Sequence, residues 1–89
     1  MNSDANWVLQ VDPIVYKTLE KFPRQDGERI YLAIRDLVFN PFAGDIQKMK
    51  GERNSWRRRV GSYRIFYEII SLERVIYVFK TERRKSNTY

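Results

Sequence analysis

The stretch Trp56-Arg57-Arg58-Arg59-Val60-Gly61-Ser62-Tyr63-Arg64-Ile65-Phe66-Tyr67 sets a short turn between two strand-forming segments. Gly61-Ser62 is a two-residue connection with glycine first, the pattern of a type II′ hairpin turn, whose first central residue needs positive φ. The flanking segments Trp56–Val60 and Tyr63–Ile70 are rich in the aromatic and β-branched residues that strands prefer. Such a turn sets the register: Val60 opposite Tyr63, Arg59 opposite Arg64, Arg57 opposite Phe66. Alternation then puts Val60, Tyr63, Ile65, Tyr67 and Ile69 on one face, with Trp56 and Arg58 farther along, and that face needs a covering layer. The other face gathers Arg57, Arg59 and Arg64. Like charges directly opposite one another destabilise a sheet, so the cluster calls for an anionic partner. A phosphate backbone held in bidentate guanidinium forks would serve, and so would a carboxylate such as an acidic peptide.

Outward from the hairpin, the chain supplies the cover. Trp7–Val11 alternates as a short first strand, and Asp12-Pro13 follows as an N-cap with proline at the first helical position. The helix started there places Ile14, Val15, Thr18, Leu19 and Phe22 on one side and stops at Pro23. A second helix, from about Gln25 to Phe39, aligns Ile30, Ala33, Ile34, Leu37 and Val38 at helical spacing. Asn40-Pro41 ends it, because the residue before proline avoids the helical region. Ile46–Lys50 reads as a weak strand, Gly51–Ser55 as a loop, Ser71–Arg74 as a turn and Val75–Thr81 as the last strand. The predicted fold is α+β in the order β-α-α-β-β-β, with a two-helix hairpin packed on a small, mainly antiparallel, four-stranded sheet. Residues 1–89 form one domain, with 1–5 expected to be flexible and 82–89 a basic C-terminal tail.

Eighty-nine residues suffice for one small core, and 43% hydrophobic with 15% aromatic residues argues against disorder. There is no Cys, which excludes disulfides and thiolate chemistry, and no His, which removes the usual general base and the commonest metal ligand. No metal and no cofactor is expected. No apolar run approaches a membrane span and Met1–Ala5 has no signal-peptide pattern, so a cytoplasmic protein without membrane partners is expected. The net charge of +6 is segregated. Residues 1–47 carry five basic and seven acidic side chains, whereas residues 48–64 carry seven basic ones against Glu52 alone. Lys80, Arg83, Arg84 and Lys85 add a second basic run. This is the footprint of a polyanion-binding face.

The segments Asn40-Pro41-Phe42, Lys48-Met49-Lys50-Gly51 and Trp56 to Tyr67, with a last strand running into Arg83-Arg84-Lys85-Ser86-Asn87-Thr88-Tyr89, resemble the RelE/ParE toxin superfamily of prokaryotic toxin–antitoxin systems. The resemblance covers nearly the whole chain and implies one of two activities. RelE-type members cut translated mRNA, usually in the ribosomal A site; ParE-type members poison DNA gyrase. An inactive module that only binds antitoxin and represses its operon is the remaining alternative. The RelE-like pattern places two basic residues at alternate positions before the hairpin, an arginine after it, another after the last strand and a tyrosine about six residues on. Arg57, Arg59, Arg64, Arg83 and Tyr89 fill these five positions and are the implied catalytic residues. Arginine stands where the best-known relative has lysine at the first two, which suits phosphate but makes a poor proton acceptor.

The resemblance thus implies a metal-independent, ribosome-dependent endoribonuclease (mRNA interferase) whose partners are the ribosome with mRNA in its A site and a RelB-like antitoxin. The RNA's own 2′-hydroxyl would attack the adjacent phosphate. Arg57, Arg59, Arg64 and Arg83 would hold the phosphate and stabilise its added charge. Tyr89 would stack on a base or transfer a proton, its pKa of about 10 being lowered by surrounding cations. The terminal carboxylate is a second candidate base. Lys48, Lys50, Arg53, Arg84 and Lys85 are expected to bind RNA through general electrostatics.

Overall fold

Asp12 and Pro13 begin the helical layer as the sequence predicts. In the computed structural model, which describes residues 7–84, the Asp12 carboxylate accepts the Ile14 N–H at 3.0 Å and Pro13 opens helix α1, Pro13–Glu20. The same carboxylate accepts the Tyr77 hydroxyl at 2.9 Å. Held first by the Ile14 N–H and then by Tyr77, its pKa lies below the ordinary aspartate value. After a short break, Pro23 precedes helix α2, Arg24–Asp36. The two helices pack closely at Gly27, where a Cβ would stand 2.9 Å from the Leu19 carbonyl oxygen.

The strands are β1 (Val8–Val11), β2 (Asp45–Lys48), β3 (Ser55–Val60), β4 (Tyr63–Ile70) and β5 (Val75–Arg83). They form one sheet in the order β1-β5-β4-β3-β2, antiparallel except where β1 runs parallel to β5. The α+β class stands as predicted, but the sheet has five strands rather than four. The Asp45–Lys48 segment carries one apolar side chain, so it reads weakly as a strand. The edge of β3 nevertheless recruits its backbone groups, pairing Asp45 with Arg59 and Gln47 with Arg57. Other boundaries differ as well: β2 runs from Asp45 to Lys48 rather than Ile46 to Lys50, and β3 begins at Ser55. Helix α2 stops at Asp36 instead of Phe39, and the Asn40 side chain caps the following turn by accepting the Phe42 N–H at 3.1 Å. Strand β5 continues past Thr81 to Arg83, so Glu82 and Arg83 belong to the sheet. Residues 1–5, Lys85 and Tyr89 lie outside the described residues.

The core lies between the helices and one sheet face. Val15, Leu19, Ile30, Ile34 and Leu37 meet Tyr63, Ile65, Tyr67, Ile69, Ile76 and Val78. Each large apolar side chain buried there stabilises the fold by about 1.5–3 kcal/mol. Ile14, expected in this face, is about half exposed. Two core tyrosines peg the sheet to its cover. Tyr63 donates to Asp26 of α2 at 2.7 Å, a bond that raises its pKa, and Tyr67 donates to the Pro41 carbonyl at 2.9 Å. Burial pushes the Tyr67 hydroxyl up to about 12. The opposite face of the sheet is left uncovered by the helices, and it carries the arginines.

Candidate phosphate-binding site

The hairpin has the predicted register: Val60 pairs with Tyr63, Arg59 with Arg64 and Arg57 with Phe66. Gly61 has φ +59°, and Ser62 keeps negative φ, which is the type II′ combination. Arg57, Arg59 and Arg64 therefore share the open face, where they line a cavity of about 190 Å³ together with Asp45, Gln47 and Arg84. Four of its six lining residues are arginines.

Three acceptors hold the arginines in place. The Arg59 Nε donates to Asp45 at 3.0 Å, Arg57 donates to the Gln47 side-chain oxygen, and Arg64 donates to Glu82 at 3.2 Å. Glu82 also meets the Lys80 ammonium at 3.3 Å. These pairings answer the objection that Arg59 and Arg64 stand directly opposite: each has a carboxylate beside it. Asp45, Gln47 and Glu82 are not among the residues expected from the sequence. The signal for them is cross-strand and appears only once β2 and β5 are placed in register.

Arg84 enters the cavity because of a bulge. Between Phe66 and Tyr67 the β4–β5 register shifts, Phe66 pairing with Lys80 and Tyr67 with Val78, so that Phe79 is an extra residue on β5. One extra residue exchanges the faces of everything beyond it. Glu82 and Arg84 consequently lie with Arg64, and the Arg84 N–H bonds the Ser62 carbonyl at 2.6 Å. Arg83, expected to join the cluster, pairs with Tyr63 and lies 5.7 Å from the centre of its ring on the helix-bearing side. Without the bulge, Arg83 would have faced the cavity.

The remaining basic residues sit apart. Lys48 ends β2, while Lys50 and Arg53 lie in the β2–β3 connection; all three are exposed, and none lines the cavity. Arg58 falls on the opposite side of β3, with its guanidinium beside Gly44. A larger cleft of about 410 Å³ opens between α1 and α2, but its lining is mainly apolar, with Tyr16, Leu19, Phe22 and Tyr31. It offers no convergence of charge comparable with the arginine cavity.

An arrangement of this kind can grip a phosphodiester on several oxygens at once and favour extra negative charge on it. Comparison with known proteins agrees with the fold. A family model described as the ParE toxin of type II toxin–antitoxin systems, parDE, matches residues 11–87. The chain is 28% identical over 80 residues to RelE1 of Methanocaldococcus jannaschii, covering 86% of this chain and 89% of that protein. Among solved structures, the archaeal RelE–RelB complex from Pyrococcus horikoshii superposes with TM-score 0.78 at 23% identity, over 91% of this chain and 98% of that one. The RelB–RelE antitoxin–toxin complex from Methanococcus jannaschii gives TM-score 0.67 at 28% identity, over 83% and 88%.

Proposed function

The chain belongs to the ParE toxin family of type II toxin–antitoxin systems, and from that premise we propose that it is a RelE-type toxin that cuts translated mRNA on the ribosome. The supporting observation is the cavity itself, a space of about 190 Å³ lined by Arg57, Arg59, Arg64 and Arg84. In the reaction the 2′-oxygen attacks the neighbouring phosphorus, the bond to the 5′-oxygen breaks and a 2′,3′-cyclic phosphate remains. The arginines orient the phosphate in line and bear the charge of the phosphorane. A phosphodiester also supplies the anion that offsets the crowding of four guanidiniums. Cleavage by such a site benefits from the ribosome, which delivers the message already extended.

The natural partner in this reading is an antitoxin that neutralises the cavity with acidic side chains and covers exposed apolar groups such as Ile14, Tyr31, Leu32 and Phe39. The Methanococcus relative, solved as a complex with its antitoxin, supports such a partner. Co-expression with the neighbouring small open reading frame checks it: pull-down and rescue of growth are expected.

Primer extension on a translated message, with purified protein and ribosomes, tests the nuclease reading, and new mRNA ends are expected. The ParE description of the matched family favours one second reading, inhibition of DNA gyrase. Loss of gyrase supercoiling with intact mRNA would select it.

A further inference from the structure

Cleavage by an RNA 2′-hydroxyl requires a group that takes its proton, and the arginines that dominate the cavity cannot do so. Guanidinium keeps its protons at every ordinary pH. The chain has neither His nor Cys. Among the described residues lining the cavity are four arginines, one amide and one carboxylate. An amide is not a base. The carboxylate is Asp45.

We propose that Asp45 is the general base that accepts the 2′-hydroxyl proton, an assignment that rests on the nuclease reading above. Its place in the sheet supports the role. Asp45 pairs with Arg59, which pairs with Arg64, so one row across β2, β3 and β4 carries a base followed by two phosphate-binding cations. The Arg59 Nε engages Oδ2 at 3.0 Å and orients the carboxylate, while 62% of the side chain stays open to the cavity and solvent. The other groups lining the cavity with it are Arg57, Arg59, Arg64 and Arg84, all cationic, and the neutral Gln47 of its own strand. Glu82, the other carboxylate beside these arginines, is held between Arg64 at 3.2 Å and Lys80 at 3.3 Å and does not line the cavity. It braces Arg64.

The Asp45 carboxylate takes the proton of the 2′-hydroxyl as the 2′-oxygen bonds to phosphorus. The bond from phosphorus to the 5′-oxygen breaks, its electron pair leaves on that oxygen, and solvent water protonates it. Asp45 then returns its proton to water. No metal, oxidant or reductant takes part.

The test compares wild type, Asp45→Asn and Asp45→Glu in single-turnover cleavage of a ribosome-bound message, with toxin concentration varied. Asparagine keeps an oxygen for the Arg59 Nε but cannot take the proton. Asp45→Asn is expected to slow cleavage at saturating toxin by about 100-fold or more, the usual worth of a general base. Its half-saturating concentration should stay within about threefold of wild type, since binding is retained. Asp45→Glu should recover most of the rate. Wild-type cleavage by Asp45→Asn overturns the assignment. So does a defect that lies in the half-saturating concentration, or one that Asp45→Glu shares in full, because either would make Asp45 a brace for Arg59. Failure of the wild type to cleave is a different result, and it removes the nuclease reading together with this one.

Discussion

Arg64→Ala should remove activity while leaving the fold in place. Arg64 sits directly opposite Arg59 and its guanidinium lies 3.2 Å from Glu82, with 30% of the side chain exposed. Losing an ion pair this close to solvent costs about 0–1 kcal/mol. Relief of the Arg59–Arg64 opposition returns about 0.2–1 kcal/mol. Glu82 keeps Lys80 as a partner at 3.3 Å, so no carboxylate is stranded. The net change in stability should stay within about 1 kcal/mol, which for a domain of this size moves Tm by less than about 8 °C. On the nuclease reading catalysis responds differently, because Arg64 would contact charge that develops only in the transition state. Losing such a contact costs about 2–4 kcal/mol, or about 30- to 1000-fold in rate. Circular-dichroism melting and single-turnover cleavage, read on the same preparation together with growth inhibition on induction, separate the two quantities. A variant that melts out of the fold would show that Arg64 is structural. Wild-type cleavage and toxicity would show that it is dispensable. Either result overturns the role given to Arg64.

Arg84→Ala should depress cleavage more than Arg83→Ala, because the bulge on β5 turns Arg84 into the cavity and Arg83 toward Tyr63; equal rates for the two variants would contradict the placement. Tyr67 favours its neutral form in the native state, with its pKa raised by burial to about 12. The stability this provides is complete below the unfolded value of about 10 and is lost as pH rises from about 10 to 12, by about 2–3 kcal/mol. Denaturant melts across that range should show the decline in wild type and a weaker one in Tyr67→Phe, which at neutral pH is about 1–3 kcal/mol less stable because the Pro41 carbonyl loses its donor. Gly61→Ala should lower stability by about 1–2 kcal/mol, since φ is +59° and the added Cβ would stand 3.1 Å from the Arg29 guanidinium. An unchanged melting temperature in Gly61→Ala would argue against the type II′ turn.

Short-range chemistry makes part of this fold legible within a few consecutive residues. The Gly61-Ser62 turn sets hairpin register through backbone conformation alone, so the pairing of Arg59 with Arg64 and their separation from Tyr63, Ile65 and Tyr67 were legible from twelve consecutive residues. Asp12-Pro13 likewise announced the start of α1 within two residues. The rest depends on contacts between segments distant in the chain. Strand β2 exists because β3 offers it an edge, not because Asp45-Ile46-Gln47-Lys48 favours a strand, and only this pairing sets Asp45 beside Arg59 and Gln47 beside Arg57. Strand β1 joins β5 in parallel across more than sixty residues, a contact that no local pattern encodes. The extra residue at Phe79 has no signature in composition or periodicity, since the run Val75 to Thr81 reads equally well with or without a bulge. That one residue exchanges Arg83 for Arg84 in the cavity. Side-chain alternation has a period of two, so a single insertion inverts every assignment downstream, and packing against β4 is what fixes where the insertion falls.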